Sequence, residues 1–493
     1  MSTTSASEKI DYLVAALCTG FYGWMAYASK GFVEPDEMSH FMKSVDALHS
    51  WRYTLDIWGR PFCIMYYSMG APWGITADRF LSIVASVITA LGTIRLAYCF
   101  LPLLSNPIRR YRSLLWLLLF AQPYFMMQSF SVMTELLLAC FWVWAAVAVM
   151  HQRWLIASLL IGLSGLTRPE GTIAVAAWPL ALILSQGHFA VKLPTLLFSS
   201  LTAILPTFLW WLLGVYVFGG WNWFVANWPW AVESVYGKTP AEAVLAVLNA
   251  TNFWMLLPIG LGVLFILKKG SEVLELKYQS IILLMVPVAG IFVLHFFLGV
   301  FGLFGSLSLP RYYITVAPFL AILAWLGIES VHTLFKKRIV FYCFLGLSLF
   351  LIPSRALYMI RRGELPYPKS CDQIKLGYMI QWFFENRDHL NLAADPNPEN
   401  IVAAHPYVNY ILSGSSNTPG SLRLFKPGGI LSAPVGTVLI VENGVWNKNG
   451  FPSTDSLLRW GYKPIGNAVL HTQLTEACDN DPLYEDMMIL TKQ

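Results

Sequence analysis

Apolar and polar residues occur along this chain in long blocks, a pattern typical of a polypeptide that crosses a bilayer several times. About eleven apolar segments precede residue 358, and most could span the hydrocarbon core as helices. We place them near 11–29, 80–103, 113–130, 136–151, 153–167, 171–186, 193–218, 252–267, 279–303, 312–334 and 339–357.

Three features refine this prediction. The first segment lacks a clear small-residue cleavage site, so we expect a retained anchor. Segments 153–167 and 171–186 are short and are interrupted by Arg168-Pro169-Glu170-Gly171, so we expect broken or re-entrant helices there. The fold class is therefore an all-α polytopic membrane domain with about eleven helices.

Basic residues are unevenly distributed between the short loops. The even-numbered connections carry most of them, whereas 131–135 and 304–310 carry none. By the positive-inside rule, the N-terminus is cytoplasmic and the odd-numbered loops and the C-terminus are extracytoplasmic. The basic residues that carry this prediction are Arg109, Arg110, Arg112, Arg153, Lys192, Lys268, Lys269, Lys277, Lys336, Lys337 and Arg338.

Residues 358–493 have a different composition, rich in Asp, Asn, Pro and Gly. Short apolar runs at 401–404, 437–441 and 468–470 predict buried strands, and the patterns at 376–386 and 453–460 predict helices. We therefore divide the chain into a multi-spanning domain, 1–357, and a small soluble α/β domain, 358–493, which we expect to be accessory.

Composition agrees with a membrane protein. The chain is 56% hydrophobic and 12% charged, with a mean hydropathy of +0.56, whereas soluble domains are about 25% charged. The net charge of +5 is spread thinly, which argues against a nucleic-acid partner. The seven cysteines show no metal-ligand spacing, so we expect neither a metal nor a cofactor. Cys371 and Cys478, in the polar tail, could pair if that region is extracytoplasmic.

Carboxylates stand out first in Glu34-Pro35-Asp36-Glu37, directly after the first apolar segment. Charged groups at a membrane boundary are costly to desolvate, so they face water, a cation or a reaction. Asp36 or Glu37 could act as a general base beside a lipid-borne substrate. The alternative is that the tetrapeptide only marks the membrane edge.

Four more charged residues fall at the predicted external edge: Glu135, Arg168, Glu170 and Arg311. Arginine binds phosphate through a bidentate fork and keeps its charge, so transfer from a phosphate-linked lipid would suit this set. Structural alternatives stay open. Glu135 could pair with Arg168 as a link between helices, Arg168 and Glu170 could cap a broken helix, and Arg311 could anchor a helix at the interface.

The loop 219–251 is dense in aromatic residues, which stack on sugar rings but also anchor helices at a lipid interface. Both interpretations stay open. The residues are Trp221, Trp223, Phe224, Trp228, Trp230 and Tyr236.

The order of these features resembles the GT-C superfamily of polytopic glycosyltransferases, and most closely the mannosyltransferases of GPI-anchor and dolichol-linked oligosaccharide assembly. The family's His-Pro-Asp-Glu motif is similar to Glu34-Pro35-Asp36-Glu37, and its Asn…Glu element to 131–135. Its Tyr-Gly is similar to Tyr236-Gly237, and its Arg-Phe to Arg311-Tyr312. The resemblance covers roughly residues 10–335.

Departures from the family pattern are also present. The leading His is Glu34, and Ser308-Leu309-Pro310 replaces a basic-acidic pair. Two motifs, Trp58-Gly59-Arg60-Pro61 and Thr167-Arg168-Pro169-Glu170-Gly171, look more like prokaryotic members. The substitutions leave the sugar and the acceptor open.

The resemblance implies an inverting enzyme on the extracytoplasmic face, in a bacterial plasma membrane or alternatively the endoplasmic reticulum. The donor would be a polyprenyl-phosphate sugar, with mannose the best single guess, and the acceptor a lipid-linked or glycan hydroxyl. Asp36 would be the base, with Glu37 assisting. Glu135, Arg168, Glu170, Tyr236 and Arg311 would bind substrate. The rivals are a lipid-linked sugar flippase and an inactive accessory subunit.

Overall fold

The computed structural model groups the chain into two units that do not follow one another in sequence. The first contains Met1–Ala28 and Trp51–Pro366, and the second contains Ser29–Ser50 and Tyr367–Gln493. The structure describes residues 6–103, 112–189, 192–229, 238–268, 274–304, 309–335, 338–389, 401–414, 430–442, 446, 451–465 and 487–493.

The first unit is helical in its described residues, and every predicted apolar segment contains helix. Its first half contains α1 (Ala6–Ala28), α3 (Pro61–Ser68), α4 (Ile75–Cys99), α5 (Arg112–Phe120), α6 (Pro123–Gln128), α7 (Glu135–Met150), α8 (Trp154–Ser164) and α9 (Pro169–Phe189). Its second half contains α10 (Leu193–Phe218), α11 (Trp223–Ala226), α12 (Pro240–Thr251), α13 (Phe253–Lys268), α14 (Leu274–Ser280), α15 (Val286–Val300), α16 (Ala317–Phe335), α17 (Arg338–Leu351) and α18 (Ser354–Arg361).

Five described helical segments are long and apolar enough to cross a membrane, or six if one bent pair counts as a span. The predicted number of eleven is thus not confirmed by length and composition. Shorter apolar helices cover three further predicted segments: α7, α8 and the first part of α9. The predicted break between α8 and α9 is present, and another lies between α12 and α13, which meet at 85°.

The segment predicted as one span at 113–130 is two helices, α5 and α6. The division falls at Gln122, whose backbone is extended, and Pro123, which begins α6. Proline has no N–H to continue the helical hydrogen-bond ladder, and it restricts the residue before it to extended conformations. The break is therefore caused by the local backbone restrictions of proline, which a hydropathy pattern does not detect.

Small residues allow the closest helix packing in the first unit. A Cβ added to Gly262 in α13 would overlap the Leu323 carbonyl of α16, and one added to Gly327 would overlap the Pro258 carbonyl. Backbones approach this closely only where side chains are absent, as in many membrane helix pairs. Pairs of glycines thus set the α13–α16 contact.

The second unit combines the acidic segment near the N-terminus with the C-terminal α/β region. Its elements are α2 (Pro35–His49), α19 (Cys371–Asn386), β1 (Ile401–Ala403), α20 (Pro406–Gly414), β2 (Val438–Glu442), α21 (Thr454–Arg459), β3 (Tyr462–Ile465) and β4 (Met487–Lys492). The strand order is β1-β2-β4-β3, with β1 parallel to β2 and the other pairs antiparallel.

Apolar side chains from the strands form the core of this unit. In register, Val402 lies opposite Leu439 and Leu439 opposite Leu490, and all three are buried. Trp446 packs with them and donates its indole N–H to the Pro452 carbonyl at 2.9 Å. Strand β2, one of the two central strands, is buried along its whole length, as expected for the apolar run that precedes Glu442.

The structure confirms the predicted strands at 401–404 and 437–441 and the predicted helices at 376–386 and 453–460. The strand predicted at 468–470 and Cys478 lie outside the described residues, whereas Cys371 is disulfide-bonded. The sequence analysis missed β3, where polar residues interrupt the apolar pattern. It also divided the chain once, at 357/358, whereas contacts assign 29–50 to the C-terminal unit.

Candidate functional site

A tight turn between α8 and α9 presents two of the predicted site residues. The Thr167 hydroxyl donates to the Ser164 carbonyl at 2.6 Å, and Pro169 begins α9. A Cβ on Gly171 would overlap the Ser164 carbonyl, so this approach requires glycine. The turn therefore fixes Arg168 and Glu170 on a rigid connection between two apolar helices.

Arg168 is the centre of a buried cluster of charges. Its Nη1 lies 2.7 Å from Glu135 Oε1, and its Nη2 and Nε donate to the two oxygens of Glu170 at 2.9 and 3.1 Å. The Thr134 hydroxyl accepts a further bond from Nη1 at 2.9 Å. Glu135 is fully buried and Glu170 nearly so. The bidentate fork thus joins the start of α7 to the start of α9, as expected of a strong arginine–carboxylate pair.

Two further residues complete the cluster. His295 of α15 lies with Nε2 at 3.0 Å from Glu170 Oε1, and Arg311 lies with Nε at 3.5 Å from Glu135 Oε1. The Tyr312 ring is 5.2 Å from the Arg168 guanidinium carbon, 5.5 Å from that of Arg311 and 4.8 Å from the His295 ring centre. A cation over an aromatic face is stabilised by the ring quadrupole.

Arg60 approaches the same turn from the N-terminal side. The N–H of Phe62 donates to Leu166 at 3.1 Å, and Arg60 itself is 1% exposed with φ at 63°. A non-glycine residue at positive φ is strained and persists only where its surroundings hold it. Burial lowers the Arg60 pKa to about 10, opposed by the Glu170 carboxylate, so Arg60 is a cation at neutral pH.

Arg60, Arg168 and Arg311 bring three guanidinium groups to this region. Glu135 and Glu170 lie against the last two, and the Asp56 carboxylate acts on Arg60 as Glu170 does. In a low-dielectric surrounding a guanidinium group attracts an anion strongly.

A cavity of about 550 Å³ adjoins the cluster. Glu170 is the single charged residue among its described lining residues, and the other walls are apolar side chains of α7, α8, α9, α15 and α16. The indole N–H groups of two lining tryptophans are already satisfied: Trp142 by the Ser164 hydroxyl and Trp178 by the Ser158 hydroxyl. The cavity thus has one charged end and an apolar body.

The acidic residues predicted to be catalytic lie in the second unit, in the first turn of α2. Glu37 is fully buried, and its carboxylate accepts a hydrogen bond from the Val33 N–H at 2.7 Å. Asp36 is half-buried. Glu37 thereby has a local structural task at the beginning of the helix, and Asp36 is the more accessible of the two.

A buried histidine–aspartate pair lies elsewhere in the second unit. His405 Nε2 is 2.9 Å from Asp372 Oδ2, and its Nδ1 accepts the Tyr407 N–H at 3.2 Å. The second bond makes Nε2 the protonated nitrogen. Burial raises the Asp372 pKa, but the hydrogen bonds from His405, Ser370 and the Gln373 backbone N–H together outweigh it, so the net pKa lies below its usual value. The pair joins α19 to α20.

Four predicted residues come together in one cluster: Glu135, Arg168, Glu170 and Arg311. The Glu135–Arg168 pair expected under the structural interpretation is present, so these residues hold helices together whatever else they do. Tyr236 and Trp230 lie outside the described residues. Among Trp221, Trp223, Phe224 and Trp228, Trp223 is buried against Trp210, which fits anchoring more than sugar stacking.

Sequence reasoning overlooked one residue of the cluster, His295, and one residue beside it, Arg60. His295 is an ionisable side chain within an otherwise apolar helix, which is itself a signal of function in a membrane segment. Arg60 was noted only as part of a motif. Its burial and its positive φ depend on the fold, and the local sequence pattern does not predict them. Within the described residues, no group of three or more His, Cys, Asp or Glu side chains could hold a metal ion.

Comparison with known proteins adds one structural neighbour. The chain is similar to the apo crystal structure of the Archaeoglobus fulgidus oligosaccharyltransferase, with a TM-score of 0.48 and 13% sequence identity. The match covers 79% of this chain and 60% of that chain, so this chain spans about three fifths of that protein's length. No protein-family model and no curated protein matches. At this level of similarity the neighbour carries no argument, and the function must be argued from the site.

Proposed function

We propose that this protein is a GT-C-type glycosyltransferase that transfers a sugar from a polyprenyl-phosphate carrier to an acceptor hydroxyl. One observation carries the proposal: a buried cluster of arginines and carboxylates adjoins an apolar cavity of about 550 Å³. The arginines suit the anionic head of a ligand, and the apolar cavity suits its hydrocarbon tail. The order of motifs along the sequence supports the same class.

The arginines are suited to the phosphate end of such a donor. A guanidinium offers several N–H donors in a fixed plane and stays charged when buried. We assign this role to Arg311, which matches the arginine of the family's Arg-Phe motif and lies in the cluster, with its Nε 3.5 Å from Glu135 Oε1. Arg168 is engaged on three sides and would orient the centre. Glu135 and Glu170 would hold the arginines in position.

The transfer step assigns the base to Asp36. The acceptor oxygen attacks the anomeric carbon while its proton passes to the Asp36 carboxylate, and the bond from that carbon to the phosphate oxygen breaks. The polyprenyl phosphate leaves with the bonding electron pair, and the anomeric configuration inverts. The arginines would stabilise the charge that develops on the phosphate. Glu37, already bonded to the Val33 N–H, would support α2.

The finer assignments follow the sequence resemblance. Mannose is the best single guess for the sugar, with a lipid-linked or glycan acceptor on the extracytoplasmic face of a bacterial plasma membrane. The endoplasmic reticulum is the alternative membrane. The step above requires neither a cofactor nor a metal from this chain, and loss of activity on chelation would contradict it.

The test is sugar transfer by the purified protein in detergent. Radiolabelled polyprenyl-phosphate mannose serves as donor and a membrane-lipid extract as acceptor. Asp36→Asn should lower kcat by about 10²–10⁴-fold, the usual contribution of a general base. Asp46→Asn, on the same helix, is the matched control and should leave kcat unchanged.

Each outcome bears on a different part of the proposal. Transfer that survives in Asp36→Asn would show that another group is the base. Donor binding without transfer from mannose, glucose or arabinose carriers would favour the flippase or accessory interpretation.

A further inference from the structure

The segment before α2 is attached by backbone hydrogen bonds to the beginning of the C-terminal part of the same unit. The N–H groups of Lys30 and Gly31 donate to the Tyr367 carbonyl at 2.9 and 3.0 Å. In return, the Tyr367 N–H donates to the Ser29 hydroxyl at 3.0 Å. A Cβ on Gly31 would overlap the Pro368 carbonyl, so the backbone segments at Gly31 and Pro368 approach so closely that only glycine fits.

Gln373 in α19 extends this attachment with its side chain. Its Oε1 accepts the Phe32 N–H at 3.3 Å, and its Nε2 lies 3.5 Å from the Phe32 carbonyl. The two residues are 341 positions apart, and both are buried. Phe32 lies outside any sheet, so its buried backbone groups need other hydrogen-bond partners. The Gln373 amide serves both its N–H and its carbonyl in place of water.

Aromatic contacts join α2 itself to α20. The Tyr410 ring meets Phe32 edge to face at 4.9 Å and Phe41 at 5.9 Å, and Tyr407 meets Phe32 at 6.2 Å. Edge-to-face aromatic pairs contribute more to stability than the burial of their surface area alone would give. Phe41 lies in α2, so these contacts fix the helix as well as the segment before it.

The buried Asp372–His405 pair connects α19, which carries Gln373, to the beginning of α20, which carries Tyr410. Asp372 is next to Gln373 in α19, and the Tyr407 N–H donates to His405. The residues that hold Phe32 from one side are thereby tied to the residues that hold it from the other. The beginning of α2, where Val33 donates to Glu37, is therefore surrounded by fixed contacts.

We propose that the C-terminal region positions the acidic helix α2, and that Gln373 is a positioning residue for Asp36. The inference rests on the proposed function for its catalytic part, and it gives the C-terminal region a role other than the accessory one expected from the sequence. Gln373 acts through the Phe32 backbone, one turn before Asp36. Without it, α2 would open locally while the rest of the fold persists.

Gln373→Met keeps the volume of the side chain and removes both hydrogen bonds. Hydrogen exchange of the α2 amides should accelerate about tenfold, the equivalent of one to two net hydrogen bonds. Transfer kcat should fall with the donor KM unchanged, since the donor contacts lie in other residues. Gln381→Met, at an exposed position of the same helix, is the matched control and should change neither.

A second pair of variants guards against misfolding. Tyr410→Leu removes the edge contacts to Phe32 and Phe41, whereas Tyr410→Phe keeps the ring. Faster α2 exchange in the first and not in the second supports the proposal.

Unchanged α2 exchange in Gln373→Met overturns it, and so does faster exchange with full kcat. If the wild-type protein transfers no sugar, the proposed function fails, and the exchange result alone decides whether Gln373 holds α2.

Discussion

In the cluster around Arg168 the two carboxylates lie against guanidinium groups, whereas on α2 one carboxylate is bound by a backbone N–H and the other is half-buried. The first set is brought together from the ends of α7 and α9 and from the chain before α16. The second set is local to one helical turn. The two regions therefore handle negative charge in different ways.

The difference indicates different tasks. Glu135 and Glu170 each lie against a guanidinium group and orient the arginine side chains beside them. Asp36 lies half-buried in the first turn of α2, in the acidic motif that the sequence resemblance makes catalytic. We therefore assign anion binding to the Arg168 cluster and the base to α2.

The largest expected effect comes from removing the cation at the centre of the cluster. Arg168→Gln leaves two buried carboxylates without their main partner, which costs about 3–5 kcal/mol of unfolding free energy. Thermal unfolding of the purified protein in detergent measures it. The control is Arg362→Gln, because its ion pair with Glu364 is exposed and 3.9 Å long. Exposed pairs contribute about 0–1 kcal/mol. Equal effects of the two changes would contradict the description of the cluster as a buried ion-pair network.

An intermediate effect is expected from filling the cavity. A Cβ on Gly290 meets nothing within 4 Å, so Gly290→Leu should fill part of the cavity without a clash. We expect the donor KM to rise about tenfold, equivalent to about 1.4 kcal/mol of lost tail binding. Gly260→Leu is the matched control, since its Cβ is equally unobstructed and it does not line the cavity. The same KM in both variants would remove the cavity from the donor site.

The smallest effect concerns the second unit and its pH dependence. The Asp372 pKa is lowered in the folded protein, so the stability it contributes is present above its unfolded pKa of about 3.9 and is lost as pH falls below it. Asp372→Asn should therefore cost about 1–2 kcal/mol at pH 7 and progressively less below pH 4. Thermal unfolding from pH 7 to pH 3 checks this. Asp455→Asn, at an exposed position of α21, serves as control. A pH-independent difference would indicate that the Asp372 charge has no part in the His405 bond.

Much of the fold could be predicted because it depends on local patterns. Long apolar runs force the backbone to satisfy its own hydrogen bonds, so each predicted segment contains helix. Ile401–Ala403 and Val438–Glu442 were predicted from short apolar runs between turn residues. The number of spans could not be settled in this way, because helices such as Trp154–Ser164 are too short for length alone to decide.

The candidate site was predictable in part. Glu135, Arg168, Glu170 and Arg311 were each conspicuous as charges at the ends of apolar segments. Their convergence was not visible, since it depends on the turn at Gly171 and on how α7 packs against the segment before α16 that carries Arg311. Arg60 carried no local signal, and the attachment of α2 to α19 joins residues more than 300 positions apart.

The sequence by itself determined the class of molecule: apolar blocks that require helices in lipid, a polar α/β tail, and rare charges that must have partners or functions. Only the tertiary structure decided which charges meet and which part of the chain holds the acidic helix. The physical reason is the sequence separation over which the interactions act. Backbone hydrogen bonding and hydropathy act within a few residues, whereas ion pairs and packing join residues that are close only after the chain has folded.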